Sequence, residues 1–355
     1  MYNILELVIA FLISSISAFS VTPLIKKFAI KINAIDVPDE RKKHEGIKAR
    51  LGGIAIIIGV MVGLLYIQPQ HPHMLTVIIG GIIIIITGIL DDLLTLKAYQ
   101  KLLGQLIAAG IVASSGLLID ALTIPFIGTV QLDGFAFILT MIWIVGVTNA
   151  INLIDGLDGL AAGVSAIALT SILIIAIMDY QIIVVYLSIV LVGSCLGFLY
   201  HNFYPAKIFM GDTGALFLGY AIAIISMLGL FKSVALFSFI IPIIVIAVPI
   251  FDTLFAILRR VINKQSIGAP DRKHIHYQLM EMGFSHRTSV LIIYAFSAFF
   301  GIMAIIFSSV TMLTSLIIFA ITLFGIQIIA ELTGVVLNGQ RPLLSGIRKL
   351  IARKN

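Results

Sequence analysis

Leu75-Thr-Val-Ile-Ile-Gly-Gly-Ile-Ile-Ile-Ile-Ile-Thr-Gly-Ile-Leu-Asp-Asp92 is the stretch on which the fold turns. By intrinsic propensity its isoleucine run, Ile82 to Ile86, belongs in a β-strand. Its setting argues for a helix. The run lies in an apolar segment long enough to cross a bilayer, where an isolated strand leaves its backbone unpaired and a helix satisfies it internally. The rest of the chain points the same way. Of 355 residues 60% are hydrophobic and 11% are charged, with a mean hydropathy of +1.14. A soluble domain is about 45 to 50% apolar and about 25% charged, so a soluble globular enzyme is excluded.

Working outward from this segment, eleven apolar stretches qualify as spans: 4–25, 51–67, 75–90, 102–119, 135–152, 160–178, 182–200, 213–230, 234–257, 289–307 and 311–330. The expected fold is an all-α polytopic membrane protein of one domain over 1–355, multi-pass in the cell membrane. The first stretch has no basic n-region and no small-residue cleavage site, so it reads as a retained helix with the N-terminus outside. Alternate threading then puts all but one of the 23 basic residues, Lys232, on the side of the C-terminus. That asymmetry makes this side cytoplasmic. All but four of the 17 acids, Glu6, Asp120, Asp133 and Asp179, gather there too. The formal charge of +6 therefore reports topology rather than a nucleic-acid partner. Outside, the segment 122–132 reads as a hairpin around Gly128, and His71-Pro-His73 as a solvated loop. Cys195, the single cysteine, excludes an internal disulfide.

Ionisable groups near spans are costly, so their clustering marks function. Asp91 and Asp92 end the third stretch, and adjacent helical residues diverge by about 100°, so only one of them easily faces a given point; a helix-end pair is the structural alternative. In Asn149-Ala-Ile-Asn-Leu-Ile-Asp-Gly-Leu-Asp-Gly-Leu-Ala161 the polar residues Asn149, Asn152, Asp155 and Asp158 recur every three positions. They offer hard oxygen ligands suited to magnesium or to a ribose and base. Asp212 and Thr213 stand at an N-cap position whose free amides favour phosphate. Phe209 is a candidate to stack a base, with a membrane-interface aromatic as the alternative. Lys207 is a phosphate partner or a positive-inside anchor. Arg272, Lys273, His274 and His276 form a basic segment suited to a pyrophosphate, since arginine and protonated histidine donate to phosphoryl oxygens; a lipid-headgroup patch is the other reading. No Walker loop, dinucleotide fingerprint or zinc-protease pair is present.

Taken in order, Asp36-Val-Pro-Asp-Glu-Arg-Lys-Lys-His44 with Arg50-Leu-Gly-Gly53, Gly88-Ile-Leu-Asp-Asp92, Asn149 to Ala161, Asn202 to Gly214 and Ala269 to His276 resemble the polyprenyl-phosphate N-acetylhexosamine-1-phosphate transferases. That superfamily includes the phospho-MurNAc-pentapeptide translocase and the teichoic acid and enterobacterial antigen initiators. The resemblance implies that a UDP-sugar and undecaprenyl phosphate meet at the cytoplasmic face, the sugar-1-phosphate passes to the lipid, and UMP leaves. It implies Mg²⁺, with Mn²⁺ as a substitute, on Asp212 with Asn152 and Asp155. Asp91 and Asp92 lie beside it, one as base or lipid-phosphate positioner; Asp155 and Asp158 join them as catalytic candidates. Asn152, Asn202, Phe209, Arg272, His274 and His276 become nucleotide and sugar contacts. Lys97 and Lys101 follow the acidic pair where relatives often carry lysine. The active-site loops are then 26–50, 91–101, 153–159, 201–212 and 259–288.

Tyr277 stands where related sugar transferases carry a further histidine. The interrupted His-Ile-His and the eleventh span resemble the UDP-GlcNAc branch more than the pentapeptide branch, with wall teichoic acid as the first choice of product. The bilayer, UDP-GlcNAc and undecaprenyl phosphate are the expected partners, and a homodimer is allowed. A phosphate monoester has its second pKa at about 6, so no general base is obligatory. A secondary transporter is the rival from another class, but its acids belong at the midplane between internal repeats. An intramembrane aromatic prenyltransferase expects aspartate clusters in two related repeats, which this chain lacks.

Overall fold

The computed structural model describes residues 3–36, 48–124, 128–229, 240–266, 273–310 and 312–332. The isoleucine run is helical, inside α3 (Met74–Leu94). Its outer stripe, Leu75, Ile78, Ile82, Ile86 and Leu90, is exposed. The opposite stripe, Gly80, Gly81, Ile84, Thr87, Gly88 and Asp91, is buried. An apolar outside and a small or polar inside is the pattern of a helix solvated by lipid.

The same applies along the chain. Eight helices among the described residues are long and apolar enough to cross a membrane. They are α1 (Ile4–Lys31), α3, α5 (Phe135–Ile154), α6 (Leu160–Met178), α7 (Ile182–Asn202), α8 (Gly211–Leu228), α12 (His286–Ser309) and α13 (Met312–Leu332). Two shorter helices, α2 (Gly53–Ile67) and α4 (Ala98–Ser114), occupy expected spans 51–67 and 102–119. The chain is a polytopic helical membrane protein.

One expected span is corrected. The stretch 234–257 is not one helix over its described part: α9 (Ile240–Val245) stops and α10 (Ala247–Ile262) starts afresh, with Ile246 at φ −110°, ψ 32°. Pro249 has no N–H to return to the Val245 carbonyl, which removes a ladder bond across the break. A short helix, α11 (Ile275–Glu281), follows.

At the centre lies α8, packed by α2, α3, α5, α6 and α7. Gly88 fixes the α3 crossing, since a Cβ there meets the Thr213 Cα at 2.5 Å. Trp143 on α5 donates its indole N–H to Ser226 on α8 at 3.0 Å, the partner a buried indole requires. On the other flank, Pro23 inside α1 deprives the Phe19 carbonyl of its partner. The His201 Nε2 of α7 fills that vacancy at 3.1 Å.

The described residues also include two small antiparallel ribbons. β1 (Ile35–Asp36) pairs with β2 (Lys48–Ala49), and Arg50 closes on Asp36 at 2.7 Å. Just beyond, Gly52 and Gly53 donate to the Phe209 and Met210 carbonyls at 3.0 and 2.8 Å, and Phe209 donates to Ala49 at 2.9 Å. The Arg50 to Gly53 motif thereby docks on the start of α8. The expected hairpin is β3 (Ala121–Ile124) with β4 (Gly128–Gln131), in register Ile124 with Gly128.

Candidate active site

The acids of α3 reach α8 by two routes. Asp92 points beneath α8: its Oδ1 accepts the Asp212 N–H at 2.9 Å, and its Oδ2 accepts the Thr213 N–H at 3.0 Å and hydroxyl at 2.6 Å. The amides expected to stay free for phosphate at the α8 start are thus taken by a carboxylate from another helix, because a buried N-terminus must be capped. This corrects the anion-site reading of Asp212 and Thr213 and makes Asp92 a structural cap. Asp91 instead folds over the end of its own helix, accepting the Leu96 N–H at 2.8 Å, and its other oxygen pairs with Lys101 of α4. Lys101 also meets Asp212 Oδ1 at 3.3 Å. The 100° divergence therefore sends the two aspartates to different atoms of one centre, rather than removing one from it.

Asp212 is the most open member of this group, its side chain 28% exposed against 3% for Asp91. Asn152 of α5 donates its amide to Asp212 Oδ1 at 2.5 Å. The other residues of the three-residue repeat part company where α5 ends at Ile154. Asn149 exchanges amide bonds with Gln105 of α4, at 3.3 and 2.5 Å, and ties two helices together. Asp155 caps α5 and is half-buried. Enclosure by protein, and then the nearby Asp212, Asp92 and Asp158 carboxylates, push its carboxyl well above the ordinary aspartate range. Asp158 accepts the Ala206 N–H at 2.9 Å and pins the loop after α7. Its own N–H donates to His286 Nε2 at 2.9 Å, while the Tyr294 hydroxyl donates to the Gly159 carbonyl at 2.5 Å.

Asn202 is 3% exposed and gives its amide to the Ile208 carbonyl at 2.9 Å, so it braces the loop from inside. Phe209 is half-buried, with its backbone held by Ala49 and Gly52. Lys97 is exposed at the α4 start, its N–H received by Gln100 at 2.9 Å.

The histidines arrive from α11. His274 is 5% exposed and its Nδ1 meets Asp252 Oδ2 at 2.8 Å. His276 stacks parallel to it, centroids 5.9 Å apart at 5°, and packs on Gly156, where a Cβ would lie 2.6 Å from its Cε1. Any side chain at 156 would expel that ring. His276 is 1% exposed, and neither of its nitrogens has a hydrogen-bond partner among the described residues. Burial pushes its pKa down to about 4, so this ring is neutral at physiological pH. The expectation of a protonated donor at 276 is corrected in that respect. Arg272 lies outside the described residues.

The donor set fits a hard divalent cation. Asp212, Asp155 and the Asn152 amide are oxygen-bearing groups, and the Asp155 carboxyl, raised first by burial and then by the neighbouring Asp212, Asp92 and Asp158 carboxylates, is one whose charge a cation would favour. No cluster of three or more His, Cys, Asp or Glu forms a cage among the described residues. Magnesium needs none, since it is commonly held by one or two carboxylates with water and substrate phosphates. Sequence reasoning missed Asp252 and His286. Asp252 was legible as a lone acid in an apolar run, which is costly enough to demand a reason; His286 carried no signal.

Bundle and site together define a membrane protein whose polar groups converge at one end of its helices. A family profile described as "Glycosyl transferase family 4" matches residues 74–230, the span that carries α3 through α8. Over 99% of both chains, the protein is 49% identical to a Bacillus subtilis (strain 168) protein described as "Probable undecaprenyl-phosphate N-acetylglucosaminyl 1-phosphate transferase". It is 34% identical to a Mycobacterium tuberculosis (strain ATCC 25618 / H37Rv) decaprenyl-phosphate N-acetylglucosaminephosphotransferase, over 81% of this chain and 79% of that one. A phospho-N-acetylmuramoyl-pentapeptide-transferase of Levilactobacillus brevis matches at 47% over 30% of this chain and 32% of its own. The chain belongs to glycosyl transferase family 4, among the polyprenyl-phosphate N-acetylhexosamine-1-phosphate transferases.

Proposed function

We propose that the protein transfers N-acetylglucosamine-1-phosphate from UDP-GlcNAc to undecaprenyl phosphate with release of UMP, initiating a cell-wall glycopolymer such as wall teichoic acid. The observation that carries this reading is the likeness over 99% of the chain to the undecaprenyl-phosphate N-acetylglucosaminyl relative, against 30% for the pentapeptide relative. The cation-rich end, where the site lies, is taken as cytoplasmic by the positive-inside rule, with the N-terminus outside.

The physical problem is charge, because an anionic lipid phosphate approaches an anionic diphosphate. Asp212 and Asp155, with Asn152, would hold Mg²⁺, which supplies charge neutralisation at the phosphoryl oxygens when bound. Lys101 brings a fixed positive charge beside Asp212. Asp91, enclosed and paired with Lys101, holds that ammonium in place, a positioning role rather than proton abstraction. Asn152 fixes the Asp212 carboxylate by its amide. Asp158 keeps the loop that carries Phe209 against the α5–α6 turn. Positioning and electrostatics are what phosphoryl transfer chiefly requires.

The test uses purified protein in detergent with Mg²⁺, undecaprenyl phosphate, and UDP-GlcNAc or UDP-MurNAc-pentapeptide, with UMP as readout. UMP from UDP-GlcNAc alone is expected, together with its loss in a folded Asp212→Asn variant. UMP from the pentapeptide substrate alone, or labelled uptake into vesicles without UMP, overturns the reading.

A further inference from the structure

Asp252 is a carboxylate inside an apolar helix segment, 1% exposed, and the proposed reaction does not use it. Both of its oxygens are committed to one neighbour. Oδ1 accepts the Ile275 N–H at 2.9 Å and Oδ2 meets His274 Nδ1 at 2.8 Å. Starting α11 needs only the first of these bonds, and an amide or hydroxyl would supply it. The second needs an acceptor facing Nδ1. A carboxylate has no proton to give once ionised, so Nδ1 must carry the hydrogen.

We propose that Asp252 is a positioning residue for the transfer reaction, acting through His274, whose tautomer and ring plane it sets. The inference rests on the function proposed above. With Nδ1 bound to Asp252, Nε2 is the ring atom left for substrate, and it makes no hydrogen bond among the described residues. The stacked His276 ring follows the same plane and seats on Gly156, beside Asp155. Asp252 therefore aligns the histidine pair with the carboxylate cluster, although it stands on α10, which contributes none of the groups around Asp212. Where a carboxylate fixes a metal-ligating imidazole in this way its loss typically costs about 10- to 100-fold, and the same orienting role sets the scale expected here.

Asp252→Asn separates the two duties. The asparagine oxygen still accepts from Ile275, while its NH₂ faces Nδ1 as a donor and forces the hydrogen onto Nε2. The expected result is a fall in kcat for UMP release of about tenfold or more, with KM for UDP-GlcNAc changed by less than about threefold. In a His274→Gln background the same substitution has no further effect, because its route is gone. A merely structural Asp252 predicts losses that multiply, and multiplied losses or unchanged kcat overturn the proposal. Ring-nitrogen NMR of protein labelled with ¹⁵N-histidine, assigned by comparison with His274→Gln, is independent of activity and of how the Asp252 variant folds. The Nδ1–H form of His274 in the wild type supports the proposal, and the Nε2–H form overturns it. Absence of UMP from the wild type would instead sink the proposed function, leaving the tautomer to decide the role of Asp252.

Discussion

Asp92 and Thr213, on different helices, share one oxygen: Oδ2 of the carboxylate receives both the amide and the hydroxyl of the threonine, at 3.0 and 2.6 Å. With Oδ1 on the Asp212 amide, α3 supplies the cap that α8 lacks in its own sequence, since Met210 makes no side-chain cap bond. The candidate metal ligand Asp212 is consequently held by a neighbouring helix.

Replacing Asp92 by alanine should therefore act on stability first and on chemistry through Asp212. Loss of a cap costs about 1 to 2 kcal/mol, seen as a melting temperature in detergent lower by a few degrees. Asp92→Asn, which retains one acceptor oxygen, should fall between alanine and wild type. Thermal unfolding followed by circular dichroism checks this order; an alanine variant as stable as wild type contradicts the capping role.

A second expectation concerns the Phe19 carbonyl, which Pro23 leaves without a helical partner and His201 satisfies. His201→Phe should destabilise the protein by about 1 kcal/mol, the usual net worth of one hydrogen bond. Pro23→Ala restores an N–H four residues on, so in that background the same histidine change should cost much less. A thermal-stability cycle of the four variants measures the rescue, and equal losses in both backgrounds would refute it.

The third expectation is a pH effect at His276. Its pKa falls from 6.5 to about 4 through burial, so the unfolded chain binds more protons than the folded one between these values. Stability from this residue is complete above about pH 6.5 and declines as pH falls toward 4. The loss amounts to about 3 kcal/mol, at 1.36 kcal/mol for each pH unit. His276→Gln should lose less stability than wild type on acidification over that window. Parallel melting curves at pH 7 and pH 5 test the difference.

Much of this was legible in the sequence, because the bilayer simplifies the choices. The isoleucines of α3 had only one backbone solution, and most of the acids were expected to gather at helix ends. What escaped reading depended on partners distant in the chain. The residues Asn149, Asn152, Asp155 and Asp158 look equivalent in a linear repeat, yet α5 ends among them, so Asn149 turns to α4, Asn152 and Asp155 stay near Asp212, and Asp158 turns to the loop after α7. Asp91 and Asp92 are neighbours with separate tasks for a similar reason. Pro249 was visible, but the hydropathy around it concealed the break between α9 and α10. Asp252 acquires meaning only once α11 folds back to it.

The Lys101 bridge carries one more consequence. An ammonium shared by Asp91 and Asp212 offsets part of the negative charge of the carboxylate cluster, so a divalent cation arriving there would compete with Lys101 rather than simply add. Lys101→Met should thus bind Mg²⁺ more tightly without substrates, turn over more slowly, and unfold more readily in chelator, where Asp91 keeps a buried charge with no counter-ion, a defect worth about 3 to 5 kcal/mol. Calorimetric titration with Mg²⁺ beside chelator melting curves would reveal that trade: a lysine that holds together the same carboxylates an incoming cation would take.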